Sequence, residues 1–198
     1  VKMNYAAVDR GTMYTEVAIP EEWKQIKLNG ETDTRDIPEF IKNVVEPING
    51  QRGDDLPVSA FVGREDGTFP SGTTRFEKRG IAVNVPEWQV NDCIQCNQCA
   101  YVCPHAAIRP FLLTADELAA APAGTVAKQG LGGTKAYQFK IQVSVLDCTG
   151  CGNCADVCPS PQKSLIMKPL GTQLEEVERW NYMHEKVGYK DTVLPKEK

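Results

Sequence analysis

Apolar residues occupy every second position of one segment in the second half of the chain: Phe139, Ile141, Val143 and Val145. The positions between them are polar: Lys140, Gln142 and Ser144. A period of two is typical of a strand with one face in the core and the other in water. We therefore predict a half-buried strand over 139–145, leading directly into a cysteine-rich run.

Other segments carry the helical period. One stripe is formed by Ile37, Phe40, Ile41, Val44 and Val45, and we expect Pro47 to end that helix. Thr114 and Glu117 form a capping box that opens a short helix. A third stripe follows near the end of the chain: Leu174, Val177, Trp180 or Asn181, and Val187. These stripes predict helices that each need an apolar surface to cover them.

All eight cysteines lie in two runs of identical spacing. The first run consists of Cys93, Cys96, Cys99 and Cys103, followed by Pro104. The second consists of Cys148, Cys151, Cys154 and Cys158, followed by Pro159. Both read C-x2-C-x2-C-x3-C-P, which is the spacing of bacterial ferredoxins, where the fourth cysteine binds the other of two [4Fe–4S] clusters. The proline lacks an N–H and restricts the residue before it, so it turns the chain away after the fourth ligand.

The two runs form an internal repeat, because every ligand recurs about 55 positions later. Flanking apolar residues recur as well, and they predict three further strands: 85–90 before the first run, 106–113 after it and 165–170 after the second. The repeat predicts a pseudo-twofold fold in which each half supplies three ligands to one cluster and one ligand to the other.

Two other uses of the cysteines compete with iron–sulfur chemistry. Structural zinc sites use four ligands, commonly as two pairs separated by a longer spacer, which these two compact runs do not match. Disulfides belong to oxidising compartments, and the first residues carry no apolar signal core that would direct export. We therefore favour [4Fe–4S] clusters, and we expect a cytoplasmic protein. The absence of an initiator Met predicts a fragment or a processed chain.

Composition and charge narrow the classes of partner. The formal net charge of −4 argues against a nucleic-acid binder, which would need basic patches. No run of 18 apolar residues exists, so we expect no membrane span. No nucleophile–base pair, phosphate loop or paired acid site stands out, and we assign no catalytic residue to this chain.

These patterns predict an α+β chain with three parts. Residues 1–84 are an N-terminal linker arm that packs on something else, because their apolar positions look too thin for a separate core. Residues 85–170 are a bacterial ferredoxin-like 2[4Fe–4S] domain. Residues 171–198 are a C-terminal helical tail and linker. An insert at about 114–138 lies inside the cluster domain, as either a surface decoration or an element that shields or docks over a cluster.

The residues around the cysteine runs narrow the choice of family. The motifs are Pro57-Val-Ser-Ala-Phe61, Gly72-Thr-Thr-Arg-Phe-Glu-Lys-Arg79, Val85-Pro-Glu-Trp88, Cys93-Ile-Gln-Cys96 and Cys103-Pro-His-Ala-Ala-Ile-Arg-Pro110. Together they resemble the pyruvate:ferredoxin (flavodoxin) oxidoreductases, also called pyruvate synthases. The resemblance covers nearly the whole chain, is specific over about 40–190, and matches the linker and ferredoxin-like domains of a much longer enzyme.

The resemblance implies the chemistry of the parent enzyme and the ligands in this segment. It implies that one cluster is held by Cys93, Cys96, Cys99 and Cys158, and the other by Cys148, Cys151, Cys154 and Cys103. The parent family decarboxylates pyruvate to acetyl-CoA with thiamine diphosphate, Mg²⁺, coenzyme A and a third [4Fe–4S] cluster, all expected outside this chain. The implied partners are ferredoxin or flavodoxin and the remaining domains of a homodimeric enzyme in anaerobic pyruvate metabolism.

One alternative remains open at this stage. The chain could be an independent ferredoxin with two [4Fe–4S] clusters, or an electron-transfer subunit of another 2-oxoacid oxidoreductase. The ligand-free residues 1–84 favour the segment of a larger enzyme.

Overall fold

The computed structural model describes residues 1–25 and 36–193, and the predictions for 26–35 and 194–198 lie outside the described residues. The chain divides into two compact units, Val1–Ala60 and Phe61–Lys198. The predicted functional boundaries after residues 84 and 170 stay predictions.

The first unit is helical where it is regular. Helix α1 spans Lys2–Arg10 and buries none of its residues. A π-helix at Ile41–Val45 continues directly into α2 at Glu46–Asn49. The buried residues of this continuous helix are Ile41, Val44 and Val45, which belong to the predicted stripe.

The prediction that Pro47 ends this helix is wrong. The helix passes through Pro47 and ends at Asn49. The N–H of Glu46 donates to the carbonyl of Ile41, five positions back, so the turn before the proline is widened. Pro47 then stands at the start of the following α-turn, where its missing N–H costs little.

The second unit is built from five strands and short helices within the described residues. The strands are β1 (Asn84–Trp88), β2 (Ile108–Leu113), β3 (Lys128–Gln129), β4 (Gln138–Val143) and β5 (Leu165–Pro169). The helices are α3 (Gln98–Tyr101), α4 (Ala115–Ala119), α5 (Asn153–Asp156) and α6 (Glu176–Glu185). Short 3-10 turns complete the described chain at Glu21–Gln25, Gly53–Asp55, Val58–Phe61, Thr73–Phe76, Gly132–Thr134, Leu170–Thr172 and Asp191–Val193.

The strands form two antiparallel sheets that each join the two halves of the repeat. Strand β1 pairs with β5, with Val85 opposite Lys168. Strand β2 pairs with β4, with Ile108 opposite Val143, and β3 adds to the other edge of β4. The predicted strands before and after each cysteine run are confirmed. The sheets hold the ends of both runs, and so they position the cysteine loops.

Strand β4 is buried on both faces, so the prediction of a half-buried strand is wrong. Lys140 and Gln142 are 2% and 0% exposed. Helix α6 lies over this face, and the Gln142 amide Nε2 donates to the Glu176 carboxylate at 2.7 Å. Lys140 Nζ lies 5.5 Å from the centre of the Trp88 ring, and burial lowers the pKa of Lys140. The C-terminal helix thus supplies the cover that the local pattern could not show.

Candidate metal centre

The two cysteine runs form two similar loops. The first loop leaves β1 and contains α3, and the second leaves β4 and contains α5. None of the cysteines is in a disulfide. In each loop the second cysteine, Cys96 or Cys151, is exposed, whereas Cys93, Cys154 and Cys158 are buried. Each loop thus combines inward thiols with one thiol at its exposed rim.

The backbone of each loop turns through two left-handed residues at equivalent positions. These are Gln95 (φ 61°) and Asn97 (φ 61°) in the first loop, and Gly150 (φ 72°) and Gly152 (φ 80°) in the second. The N–H of Gln95 donates to Cys93 Sγ, and the N–H of Gly150 donates to Cys148 Sγ, both at 3.4 Å. The left-handed turns therefore point backbone donors at the first sulfur of each run.

The fourth cysteine of each run also receives a backbone hydrogen bond. The Ala107 N–H donates to Cys103 Sγ at 3.2 Å, and the Ser164 N–H donates to Cys158 Sγ at 3.3 Å. At Cys158 the Ser164 hydroxyl lies a further 3.2 Å from the same sulfur. Hydrogen bonds favour the thiolate form that binds metal.

A cavity brings together cysteines from different runs. Its lining contains Cys103 of the first run together with Cys148, Cys151 and Cys154 of the second. Pro86, Ile108 and Met167 are among its other lining residues. Cys103 therefore lies with the second run in space, although in sequence it belongs to the first.

The electrostatics of the thiols also show which fourth cysteine lies near which run. Burial raises the pKa of Cys99 to about 11, and the nearby Cys93, Cys96 and Cys158 contribute to the increase. Burial also raises the pKa of Cys148, with contributions from Cys103 and Cys151. Cys158 is thus a neighbour of the first run and Cys103 a neighbour of the second.

Cys154 and Cys158 have opposite pKa shifts. Burial raises the pKa of Cys154 to about 12, and Cys148 and Cys99 add to this. Burial acts on Cys158 in the same direction, but hydrogen bonds from Ser164 and Ser160, together with the charge of Lys163, outweigh it and lower the pKa of Cys158. A bound metal ion removes the proton from a coordinating thiol regardless of these values.

A [4Fe–4S] cluster and a single metal ion differ in how far apart they hold their ligands. Among the described residues, no group of three or more Cys, His, Asp or Glu side chains converges as on a single metal. In a cubane each cysteine binds a different iron, so its four sulfurs stand farther apart than the ligands of one zinc. Free cysteines, inward N–H donors and the shared cavity are the donor set that a [4Fe–4S] cluster requires.

The insert between the two halves packs against the first loop. Lys128 Nζ donates to the carbonyl of Cys93 at 2.8 Å. The Gln95 side chain donates to the Gln129 carbonyl at 2.7 Å and accepts from the Leu131 N–H at 3.1 Å. The predicted capping box is present, with Thr114 and Glu117 bonded in both directions. These contacts join the insert to the first cysteine loop, and its role as a surface decoration or as a shielding or docking element stays a prediction.

A segment before β1 supports the second loop, and sequence reasoning missed it. Lys78 forms an ion pair with Asp147, the residue before Cys148. The Gly80 N–H donates to the Leu146 carbonyl at 3.0 Å. Asp147 also accepts from the Ser144 hydroxyl at 2.5 Å. A basic residue 69 positions before its acidic partner leaves no local sequence signal.

Two protein families match parts of the chain. Residues 92–161 match a 4Fe-4S dicluster domain, and residues 29–82 match the EKR domain, a domain of unknown function. The second range contains Glu77, Lys78 and Arg79. The predicted iron–sulfur domain is therefore confirmed as a 4Fe-4S domain of mixed helix and strand content.

Characterised relatives match most of the chain. A pyruvate-flavodoxin oxidoreductase of Enterobacter agglomerans is 51% identical over 183 residues, which is 92% of this chain and 15% of that protein. The Klebsiella pneumoniae enzyme of the same name is 48% identical over 92% of this chain and 16% of its own length. A pyruvate:ferredoxin oxidoreductase of Moorella thermoacetica is 52% identical over 92% of this chain and 16% of its length.

The chain thus spans about one sixth of the length of these relatives. The predicted resemblance to this enzyme family is confirmed. In the part of the chain that the structure describes, every helix is too short or too polar to cross a membrane.

Proposed function

The chain belongs to the pyruvate:ferredoxin and pyruvate-flavodoxin oxidoreductases as one segment of them, and from this we propose that it binds two [4Fe–4S] clusters. We propose electron transfer between these clusters as the task of the segment. The observation that carries the proposal is the cavity that Cys103 shares with Cys148, Cys151 and Cys154. Bound there, such clusters supply one-electron redox chemistry at low potential.

We propose that the fourth ligands cross over between the runs. One cluster is held by Cys93, Cys96, Cys99 and Cys158, and the other by Cys148, Cys151, Cys154 and Cys103. The lining of the cavity supports the second set. The proximity of Cys158 to Cys99, visible in the pKa of Cys99, supports the first set.

We also propose that the domain has pseudo-twofold symmetry. The strand pairs support it, because the strand before each run pairs with the strand after the other run. The helices α3 and α5 begin 55 positions apart, as do the left-handed residues Gln95 and Gly150. Both kinds of repeat are expected of two halves that exchange their fourth ligand.

The residues around the cysteines have defined roles in this proposal. The N–H groups of Gln95, Gly150, Ala107 and Ser164 donate to ligand sulfurs and so stabilise negative charge on them. The buried core of Val85, Ile108, Val143 and Leu165 fixes the ends of both loops and keeps water from that side. The exposed thiols of Cys96 and Cys151 mark where each cluster would come nearest to the surface.

The activity proposed for the parent enzyme is oxidative decarboxylation of pyruvate to acetyl-CoA, with ferredoxin or flavodoxin as electron acceptor. Thiamine diphosphate, Mg²⁺, coenzyme A and a third [4Fe–4S] cluster would be bound by other domains of that enzyme, which we propose is a cytoplasmic homodimer. We propose that residues 1–84 are a linker arm for those domains. The exposure of Met3, Tyr14 and Trp23 supports this.

The experiment is to reconstitute the full chain anaerobically and to measure iron, sulfide and electron paramagnetic resonance (EPR). We expect about eight irons and eight sulfides per chain, with midpoint potentials on the order of −400 mV or below. About four irons per chain, or stoichiometric zinc instead of iron, would contradict the proposal.

Ligand crossover has its own test. We expect Cys103→Ser to alter the same EPR signal as Cys151→Ser. We expect Cys158→Ser to alter the same signal as Cys96→Ser. The variants at Cys96 and Cys151 serve as matched controls, because each residue would bind the cluster of its own run whether or not the fourth ligands cross over. If Cys103→Ser instead reproduces Cys96→Ser, each run binds its own cluster and the crossover is wrong.

A further inference from the structure

The two halves of the repeat differ in how they surround the fourth cysteine. After Cys103 the chain continues through Ala106, with φ 50°, to Ala107. After Cys158 it continues through Lys163, with φ 54°, to Ser164. Ala107 and Ser164 each donate a backbone N–H to their cysteine and each precede a strand, so they are structural equivalents. The side chains at these equivalent positions are therefore Ala-Ala in one half and Lys-Ser in the other.

The Ser164 hydroxyl adds a hydrogen bond to Cys158 that has no equivalent in the first half, because Ala107 has no polar side chain. Its oxygen lies 3.2 Å from Cys158 Sγ, and the residue is only 6% exposed. A metal-bound thiolate has no proton, so the hydroxyl must be the donor in the loaded protein. The equivalent residue Ala107, which is 2% exposed, has no hydroxyl to offer Cys103.

Lys163 places positive charge near the same cysteine. Its Nζ donates to the carbonyl of Cys158 at 2.8 Å and to the carbonyl of Asp156 at 2.9 Å. The equivalent Ala106 carries no charge. Two independent differences between the halves thus favour negative charge at Cys158 over negative charge at Cys103.

We propose that Ser164, assisted by Lys163, sets the two clusters at different potentials. Adding an electron increases the negative charge on the ligand sulfurs, and a donor or a cation stabilises that charge. The cluster bound by Cys158 therefore has the higher potential. An added electron resides preferentially on that cluster. Electron transfer from the second cluster to the first is therefore thermodynamically favourable. This inference rests on the proposed function and its crossed ligand sets.

The test is a redox titration of the reconstituted full chain, followed by EPR, with the two signals assigned through Cys96→Ser and Cys151→Ser. Ser164→Ala should lower the midpoint of the signal assigned through Cys96 and leave the other unchanged. At the wild-type midpoint we expect about a tenfold fall in its reduced-to-oxidised ratio, equivalent to about 59 mV for one electron. Lys163→Gln should shift the same signal less, because that ammonium is exposed and screened by salt.

The repeat supplies a matched gain-of-function control. Ala107→Ser introduces the hydroxyl at the equivalent position and should raise the midpoint of the signal assigned through Cys151. This variant also keeps the proposal testable if Ser164→Ala loads its clusters poorly.

Three outcomes would overturn the proposal: unchanged midpoints in Ser164→Ala, equal shifts of both signals, or a shift confined to the signal assigned through Cys151. Failure of the proposed function is separate, because it would appear as fewer than two clusters in the wild-type chain before any variant is compared.

Discussion

Gly150 and Gly152 in the second loop differ in what surrounds them, although both have left-handed backbones. A Cβ on Gly150 would stand 2.9 Å from the Asn84 carbonyl oxygen and 3.2 Å from the Ala82 Cβ. A Cβ on Gly152 would meet nothing within 4 Å. The left-handed conformation therefore favours glycine at both positions, and at Gly150 the close contacts also leave no room for a side chain.

We predict that Gly150→Ala destabilises the loaded chain more than Gly152→Ala. The Gly152 variant should lose about 1–2 kcal/mol, the cost of a left-handed residue with a Cβ. The Gly150 variant should lose more, because the Cβ also meets backbone that cannot move freely. Anaerobic thermal unfolding, followed by visible absorbance of the bound clusters, measures the difference. Equal losses in the two variants would contradict the importance of the close contact with Asn84.

At the scale of elements, helix α4 of the insert is joined to the chain after α6 through one carboxylate. Glu117 Oε2 accepts from the Thr114 N–H at 2.7 Å, and Oε1 accepts from Lys190 Nζ at 2.8 Å and from the Gly188 N–H at 3.1 Å. Burial would raise the pKa of Glu117, but these donors together lower it below the ordinary 4.5. Its ionised form therefore stabilises the fold above pH 4.5, and that stabilisation is lost as the pH falls through the lowered pKa.

We predict that Glu117→Gln costs about 1 kcal/mol at neutral pH, because the ion pair and charge-assisted hydrogen bond with Lys190 are lost. The difference from wild type should narrow as the pH falls below about 4.5, because the wild-type carboxylate then becomes protonated. Thermal unfolding of both chains across this pH range measures it. Asp116→Asn is the control, because it removes one negative charge from the same first helical turn and leaves the Glu117 contacts in place. A difference that stays constant with pH would contradict the role of ionised Glu117.

The elements also show what local patterns could and could not predict. The cluster ligands and the strand positions could be predicted from the sequence, because ligand spacing and the alternation of apolar and polar residues act over a few residues. The burial of Lys140 and Gln142 could not be predicted from the local pattern, because helix α6, which packs on this face, begins more than 30 residues later. The ion pair of Lys78 with Asp147 could not be predicted either, because the two residues are also far apart in sequence. Packing by an element that is distant in sequence changes the surroundings of a residue but leaves no trace in the residues next to it in sequence.

At the scale of the whole molecule, the start of the chain contrasts with the cluster unit. The large apolar side chains described between residues 1 and 24 are all exposed, and even Trp23, the least exposed of them, is 61% exposed. Helix α1 likewise buries no residue. Core residues of the cluster unit such as Val85 and Leu113 are fully buried. The two regions should therefore respond differently to a protease.

We predict that trypsin cleaves the loaded chain after Arg10 and Lys24 well before it cleaves after Lys140. Lys140 is 2% exposed inside a paired strand, whereas the earlier sites lie among exposed residues. Mass spectrometry of timed digests identifies the cuts, and EPR of the same samples should show both cluster signals unchanged after the early ones. Early cleavage at Lys140, or loss of a signal with the first cut, would contradict this division.

The pairing of β1 with β5 has a consequence for how the protein is made. Asn84 lies opposite Pro169, so the first sheet cannot close until nearly the whole cluster unit has left the ribosome. The first cysteine run emerges long before Cys158, its proposed fourth partner. Pairing over such a distance is slow, because a long loop must close before any contact stabilises it. We therefore expect cluster assembly to require synthesis through β5, and a chain that ends before Leu165 to carry thiols without a finished site.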